Sequence, residues 1–309
     1  MTYEEFFKEW NDVSADILCH TSGSTGTPRD ILLPKNEMMR SAMRTIRHFN
    51  LDSVSHLHSC ISPDYIGGKM QGVRAKILGA EFTFETPSNH PLEHYQGGRI
   101  DLLSIVPSQM RYILDHADEM PEIGAILIGG APIPVNIEVD IIQSRFSVWE
   151  TYGMTETASH IALRDVKIIG SPFRAFDDVN LSIDMEGRLI INIRDWKKIT
   201  TNDIVDMCGG NQFKVVGRYD NVINSGGIKI HPERIEQIME ALIGCPVLVT
   251  SAPDEKWGER MVMVVEDSGL YLDEQIEEIC RKHLSSKMVP KEIRHGKIAR
   301  TENGKKKRR

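Results

Sequence analysis

Five short apolar runs, His56–Ile61, Ala80–Phe84, Asp101–Val106, Ala125–Ile128 and Ser147–Glu150, are interleaved with helix-length stretches at Lys35–Phe49, Gly67–Leu78, Ser108–Ala117 and Val135–Arg145. Runs this short fit strands buried in a sheet, and their alternation with helices predicts a layered α/β domain on a largely parallel sheet. The texture changes after about residue 165. Short β-rich pieces at Val179–Ile183, Arg188–Ile193, Ile204–Met207 and Phe213–Val216, punctuated by Gly and Asp, predict a small antiparallel barrel or ribbon. A third texture starts near Asp220, where helices at Pro232–Leu242 and Leu272–His283 flank strands at Val247–Ser251, Met261–Val265 and Glu292–Gly296. The expected fold class is therefore α/β followed by α+β, since 309 residues exceed what one core usually serves. The expected domains are 1–219, with α/β layers to about 165 and a β-rich subdomain over 166–219, and a small C-terminal domain over 220–309.

Bulk chemistry narrows the function classes. A formal charge of −7 argues against a nucleic-acid partner, and the basic run Lys305–Arg309 is read as a solvated tail. The five cysteines (19, 60, 208, 245, 280) show no C-x-x-C and no histidine at ligand spacing, which predicts reduced thiols and a cytoplasmic location. The N-terminus is acidic and amphipathic rather than secretory, and no apolar stretch approaches a membrane span.

Thr21-Ser-Gly-Ser-Thr-Gly-Thr-Pro-Arg29 carries five hydroxyls and two glycines in its first seven residues. Such a loop buries little but offers backbone N–H and side-chain donors able to wrap a polyphosphate. It is not a Walker A loop, because Pro28 stands five residues after Gly23 and no Gly-Lys-Ser/Thr follows. A solvated turn between two strands explains the segment equally well. Four further segments carry polar chemistry: Gly129-Gly-Ala-Pro132, Thr151-Tyr-Gly-Met-Thr-Glu-Thr157, Asn202-Asp203 with Gly217-Arg-Tyr-Asp220, and Arg300-Thr-Glu-Asn-Gly-Lys305. Taken singly, Thr155–Thr157 also reads as a helix cap, Asp203 and Asp220 as turn residues, and Lys305 as a solvated lysine.

In order and spacing these five segments resemble the adenylate-forming superfamily of acyl- and aryl-CoA synthetases, luciferases and peptide-synthetase adenylation domains. The resemblance spans residues 18 to 305. It implies attack of a carboxylate on the α-phosphate of ATP with loss of pyrophosphate, so donors and cations at that phosphorus carry the catalysis. Thr21, Ser22, Gly23, Ser24, Thr25 and Gly26 would hold the β- and γ-phosphates, with Arg29 supplying a cation. Glu156 would bind Mg²⁺, Thr155 would donate to the α-phosphate, and Tyr152 would stack on adenine. Gly129, Gly130, Ala131 and Pro132 would wall the nucleotide slot, and Thr151, Gly153 and Met154 complete that segment. Asp203 would accept from the ribose hydroxyls, supported by Arg218. Lys305 would bridge the α-phosphate and the attacking carboxylate as a mobile charge. The resemblance also implies a hinge at Asp220 that swings a mobile C-terminal domain between two half-reactions. Ser225, Gly226 and Gly227, read as part of one strand to Ile230, would then face the channel for CoA.

Within the superfamily the likeness is to its o-succinylbenzoate–CoA ligase branch of menaquinone synthesis. It rests on Thr151–Arg164, Arg218–Ile230 and Ser62-Pro-Asp-Tyr-Ile-Gly-Gly-Lys69. That acid has a second carboxylate, whose burial demands a cation or hydroxyls, and Tyr65, Lys69, Arg74, His160 and Arg164 lie in segments able to supply them. Three departures stand out: Arg29 replaces the usual Lys, Thr201-Asn-Asp203 replaces Thr-Gly-Asp, and the phosphate loop begins only about twenty residues into the chain. Full-length members carry a further subdomain before that loop, so the expectation is a compact variant or a sheet face covered by a second copy in a homo-oligomer. Rival readings are an adenylating enzyme for another acid or a carrier protein, and a degenerate nucleotide-binding regulator.

Overall fold

A computed structural model describes residues 1–20, 29–266, 269–300 and 306–308. The chain divides into two compact units, Met1–Val179 and Asn180–Arg309.

The first unit opens with helix α1 (Tyr3–Asn11), started by a Thr2/Glu5 capping box, and a hairpin of β1 (Asp16–His20) and β2 (Asp30–Pro34). Helix α2 (Lys35–His48) leads to β3 (His56–Ser59), α3 (Ile66–Leu78), β4 (Glu81–Phe84), β5 (Ile100–Ile105), α4 (Pro107–Asp115), β6 (Ile123–Ile128), α5 (Val135–Gln143), β7 (Val148–Met154), β8 (Ser159–Asp165) and β9 (Phe173–Ala175). In its sheet the order is β9-β8-β7-β6-β5-β3-β4. The five strands from β4 to β7 are parallel, and β8 and β9 add antiparallel pairs at one side.

Alternation along the strands builds both cores. Leu103, Ile105, Ile126, Ile128 and Val148 pack with Met110 and Ile113 of α4 and Ile137 and Ile141 of α5. Their neighbours Leu57, Leu102, Ala125 and Leu127 pack on the opposite face with Ala75 of α3 and with Phe49 and Trp149. Helix α1 is tied down by Tyr3, whose hydroxyl lies 2.8 Å from Ser59 Oγ and 2.9 Å from the Ile61 carbonyl. Because β4 and β5 both flank β3, the order reverses at β3, and in such sheets ligands bind beyond the carboxyl ends of the strands.

The second unit begins with β10 (Val179–Ile183), β11 (Arg188–Ile193), β12 (Lys198–Gly209) and β13 (Gln212–Arg218), adjacent in that order. The expected antiparallel ribbon is present, with β11, β12 and β13 paired antiparallel. There follow β14 (Ile223–Ser225), β15 (Ile228–Ile230), α6 (Pro232–Ile243), β16 (Val247–Asp254), β17 (Gly258–Val265), α7 (Asp273–His283) and β18 (Glu292–His295). Their core joins Ile235 and Met239 of α6, Val247 and Val249 of β16, Met261 and Met263 of β17, and Ile276 and Cys280 of α7.

One expected element differs. Ser225–Ile230 is a hairpin rather than a strand, because Gly226 (φ 58°) and Gly227 (φ 79°) form a two-residue turn between β14 and β15. Two consecutive positive φ values are what such a turn demands, and glycine meets them without strain. None of the five cysteines forms a disulfide. Among the described residues, no helix is long and apolar enough to cross a membrane.

Candidate active site

The carboxyl ends of β6 and β7 bring two predicted segments together. Residues 129–132 follow β6, while Thr151, Tyr152, Gly153 and Met154 end β7 and the 3₁₀ turn Thr155–Thr157 comes next. Thr151 Oγ1 donates to the Ile128 carbonyl at 3.1 Å, and a Cβ on Gly129 would lie 2.4 Å from that same oxygen. The two segments therefore touch through glycine backbone. Gly130 adds a positive φ of 92°, and the Gly129 N–H donates to the Ile105 carbonyl at 3.3 Å. At Gly153 the β7–β8 register shifts, and a Cβ there would meet the Ser159 carbonyl at 2.3 Å.

The Thr155–Thr157 turn is braced from within. The Met154 N–H donates to Thr157 Oγ1 at 3.0 Å, and that hydroxyl lies 2.6 Å from the Ser159 carbonyl. Thr155 is buried, whereas Glu156 is half-buried and forms no ion pair among the described residues. An uncommitted carboxylate beside backbone and hydroxyl donors suits a hard divalent cation. Tyr152 is half-buried, its ring 5.7 Å from that of Phe173.

The predicted cations fall into distinct settings. Arg164 donates from Nε and Nη2 to Glu150 Oε2 (2.8 and 2.6 Å) and from Nη1 and Nη2 to Glu138 (2.8 and 3.0 Å). Burial works against its charge, but the Glu138 hydrogen bonds and the Glu150 charge hold its pKa above the ordinary value. Lys69 is buried, with Nζ 5.0 Å from the Phe6 ring centroid, and burial depresses its pKa. Tyr65 is exposed just ahead of α3.

Arg74 is buried, and Nη1 donates to Gln71 Oε1 at 3.0 Å while Nε and Nη2 have no partner. Burial pushes this guanidinium down to about 9. His160 is buried with Nε2 2.9 Å from Thr45 Oγ1; burial, then the charges of Arg74, Arg44 and His48, push its pKa well below the usual imidazole range. Arg44, absent from the sequence reading, pairs with Asp178 through Nε and Nη2 but leaves Nη1 unpartnered. It shares a helix face with Glu37 and Ser41, away from Met38, Ala42 and Ile46, so the apolar periodicity of α2 carries no signal of it. Two buried guanidiniums with orphan donors, both acting on His160, make their surroundings favourable to an anion.

In the second unit Asp203 and Arg218 stand opposite each other on β12 and β13, joined by Arg218 Nη1 to Asp203 Oδ1 at 3.1 Å. The same guanidinium donates to both oxygens of Asp220 at 3.2 Å. Gly226 lies under the Trp257 ring, where a Cβ would sit 2.5 Å from Cε3, and its N–H donates to the Trp257 carbonyl.

The basic tail departs from the solvated run expected. Lys306 Nζ donates to Glu236, Glu240 and the Val247 carbonyl, and Arg308 pairs with Glu233 and Glu236. These glutamates recur every three or four residues on α6, so one helix face collects the tail. Arg300 and Lys306 pair as an antiparallel bridge, holding the residues on either side of 301–305 next to each other. Thr21, Ser22, Gly23, Ser24, Thr25 and Gly26, and Lys305, lie outside the described residues; Arg29 is described, exposed, immediately before β2.

Residues 9–188 match the family described as AMP-binding enzyme. Among curated proteins, 2-succinylbenzoate–CoA ligases of Listeria monocytogenes serovar 1/2a and Bacillus cereus strain ZK / E33L are each 24% identical, over 94% and 92% of this chain. The chain spans about two thirds of their length, 68% and 66%. Among solved structures, an acyl-CoA synthetase (AMP-forming)/AMP-acid ligase II-like protein from Dyadobacter fermentans is 31% identical, covering 98% of this chain and 90% of its own, with a TM-score of 0.65. The o-succinylbenzoate CoA synthetase of Bacillus subtilis, solved with its acyl-adenylate intermediate, shares the fold at a TM-score of 0.82 and 20% identity, covering 96% of this chain and 69% of its own.

Proposed function

The chain belongs to the AMP-binding enzyme family, and on that premise we propose that it is an ATP-dependent acid–CoA ligase acting on o-succinylbenzoate in menaquinone biosynthesis. In the first step a carboxylate oxygen of the acid bonds to the α-phosphorus of ATP and the bond to pyrophosphate breaks. In the second the CoA thiol, losing its proton, attacks the acyl carbon and AMP leaves. The observation that carries the reading is the meeting of Gly129 with Thr151, which sets a bare backbone turn beside Thr155 and the uncommitted Glu156.

Each proposed role follows from local chemistry. Glu156 is the residue that would hold Mg²⁺, which when bound neutralises phosphate charge. Thr155 donates to the α-phosphate, and the Gly129–Pro132 backbone walls the slot in which Tyr152 meets adenine. Asp203, oriented by Arg218, accepts from the ribose hydroxyls. Lys305, with its charge, and the 21–26 loop, with its hydroxyls, keep the phosphate roles inferred from sequence. Asp220 acts as the hinge of a C-terminal domain starting at residue 220, and the Ser225–Gly227 turn faces CoA.

The choice of acid is supported by Arg74. Its Nε and Nη2 lack partners while the group is fully enclosed, and a second carboxylate on the substrate satisfies both donors at once in bidentate fashion. Curated relatives named for 2-succinylbenzoate agree with that chemistry. A cytoplasmic location and self-association belong to the same proposal, the latter read by the sedimentation coefficient of the purified chain.

The test is o-succinylbenzoate-dependent exchange of labelled pyrophosphate into ATP, followed by AMP release with CoA present. Exchange without thioester formation would redirect the reading to a carrier-protein acceptor. No exchange with any carboxylic acid, despite ATP binding, would leave a nucleotide-binding regulator.

A further inference from the structure

The cysteine pattern shows no ligand spacing in the sequence, yet the fold gathers one. His58 lies in β3 and Cys60 two residues on, so both project from the same face of an extended chain. Strand β4 runs parallel to β3 with His58 opposite Thr83, which brings Glu85 alongside Cys60. The ligand atoms of His58, Cys60 and Glu85 all lie within 4.8 Å of one another, in the first unit and apart from Glu156 in sequence and strand.

The hydrogen bonds around this trio settle which imidazole nitrogen is bare. Tyr95 Oη donates to the Gly98 carbonyl, so His56 Nδ1, 3.2 Å from Tyr95 Oη and 3.0 Å from the Arg99 carbonyl, faces acceptors and carries its proton there. His56 Nε2 therefore accepts, and its partner 2.6 Å away is the Thr83 hydroxyl. Having given its one proton to His56, Thr83 Oγ1 accepts from His58 Nδ1 at 2.7 Å. His58 Nε2 is left with a lone pair, buried and without a hydrogen-bond partner. What it faces, 3.8 Å away, is a carboxylate oxygen of Glu85. A lone pair aimed at an acceptor in a buried site calls for a cation between them, either a proton on the imidazole or a metal ion, and the Cys60 thiol within reach of both makes the metal ion the better fit.

The geometry points to a binding site for one zinc-type divalent ion held by His58 Nε2, Cys60 Sγ and a Glu85 oxygen. Tetrahedral zinc, with bonds of about 2.0–2.3 Å, spaces N and O ligands about 3.4 Å apart, so a few tenths of an ångström close the 3.8 Å gap. Charge balances too: thiolate and carboxylate neutralise the ion, and neutral imidazole adds nothing. Thr83 is the outer partner that fixes the histidine tautomer, as metal-bound histidines require. With three protein ligands the fourth position falls to water, and the quarter-exposed Glu85 side chain (24%) gives the ion a way in.

The test is titration of the chelator-treated 309-residue chain with Co²⁺, followed by displacement with Zn²⁺. One equivalent producing a near-ultraviolet thiolate charge-transfer band together with tetrahedral visible bands supports the site. Cys60→Ser abolishes the charge-transfer band, and Cys208→Ser leaves it intact. Glu85→Gln, at a position open enough to fold normally, weakens Co²⁺ affinity at least about tenfold, as does Thr83→Val through the histidine. No charge-transfer band at stoichiometric Co²⁺, a band that survives Cys60→Ser, or full affinity in Glu85→Gln overturns the proposal. If Cys60→Ser does not fold, the Glu85 and Thr83 variants decide.

Discussion

Glu150 on β7 and Arg164 on β8 are cross-strand partners, with the guanidinium gripping Glu150 Oε2 through Nε and Nη2 at 2.8 and 2.6 Å. Glu150 Oε1 also accepts from the Ile133 N–H at 3.3 Å, just past the Gly129–Pro132 turn. The pair thus welds the β7–β8 hairpin to the loop after β6.

Arg164→Ala leaves Glu150 buried without its cation, in a setting where burial already pushes its pKa up. Removing one member of a buried pair costs about 3–5 kcal/mol. The urea midpoint of the protein should fall accordingly, with Arg164→Lys intermediate because it loses the forked geometry. An unchanged midpoint would show that the welding is not energetic.

His160 stays neutral when folded, since burial and two guanidiniums depress its pKa. Unfolded, it takes up a proton near pH 6.5. The unfolded chain therefore binds more protons below that point, and stability drops as pH falls, by up to about 1.4 kcal/mol per unit. His160→Gln should flatten the fall in melting temperature between pH 7 and pH 5.5; parallel curves for the two proteins would exclude His160 as its source.

Gly129→Ala places a Cβ against Thr151 Oγ1. ATP affinity should fall about tenfold or more as the turn shifts, and Thr151→Ala in the same chain should recover part of the loss. The non-additivity is read by a double-mutant cycle of dissociation constants.

Arg74→Met removes a buried cation whose free donors await an acceptor. The KM for o-succinylbenzoate should rise at least about a hundredfold, as for a lost charged bidentate contact, while ATP binding stays as it was. Equal loss of both would mark Arg74 as a structural residue.

Lys305→Ala should nearly abolish acyl-adenylate formation yet spare thioester formation from pre-made acyl-AMP. Equal loss in the two half-reactions contradicts a lysine used in only one of them.

Much of the layered unit was readable from apolar runs. The strand after Ile123 and the helix at Val135 fall within a few residues of their expected ends because both faces of β6 are buried. Strand β12 runs Lys198–Gly209, far longer than expected, since one of its faces is solvated and breaks the apolar pattern. Strand β8 went unseen because it opens on Ser159 and His160, polar residues whose burial depends on partners over 100 residues away, such as Thr45. Local pattern carries no trace of such pairings. The same blindness hid Arg44 and the His58–Cys60–Glu85 cluster, where strand register, not sequence spacing, makes the neighbours.

The chain's last residues have a consequence for anyone handling the protein. Lys306 and Arg308 cancel the mutual repulsion of three glutamates on α6, one of them, Glu236, almost sealed from water at 4% exposure. Removing residues 306–308 would strip that counter-charge and abolish the bridge between Arg300 and Lys306. Loss of stability would then begin at α6, whose glutamates would face one another uncompensated.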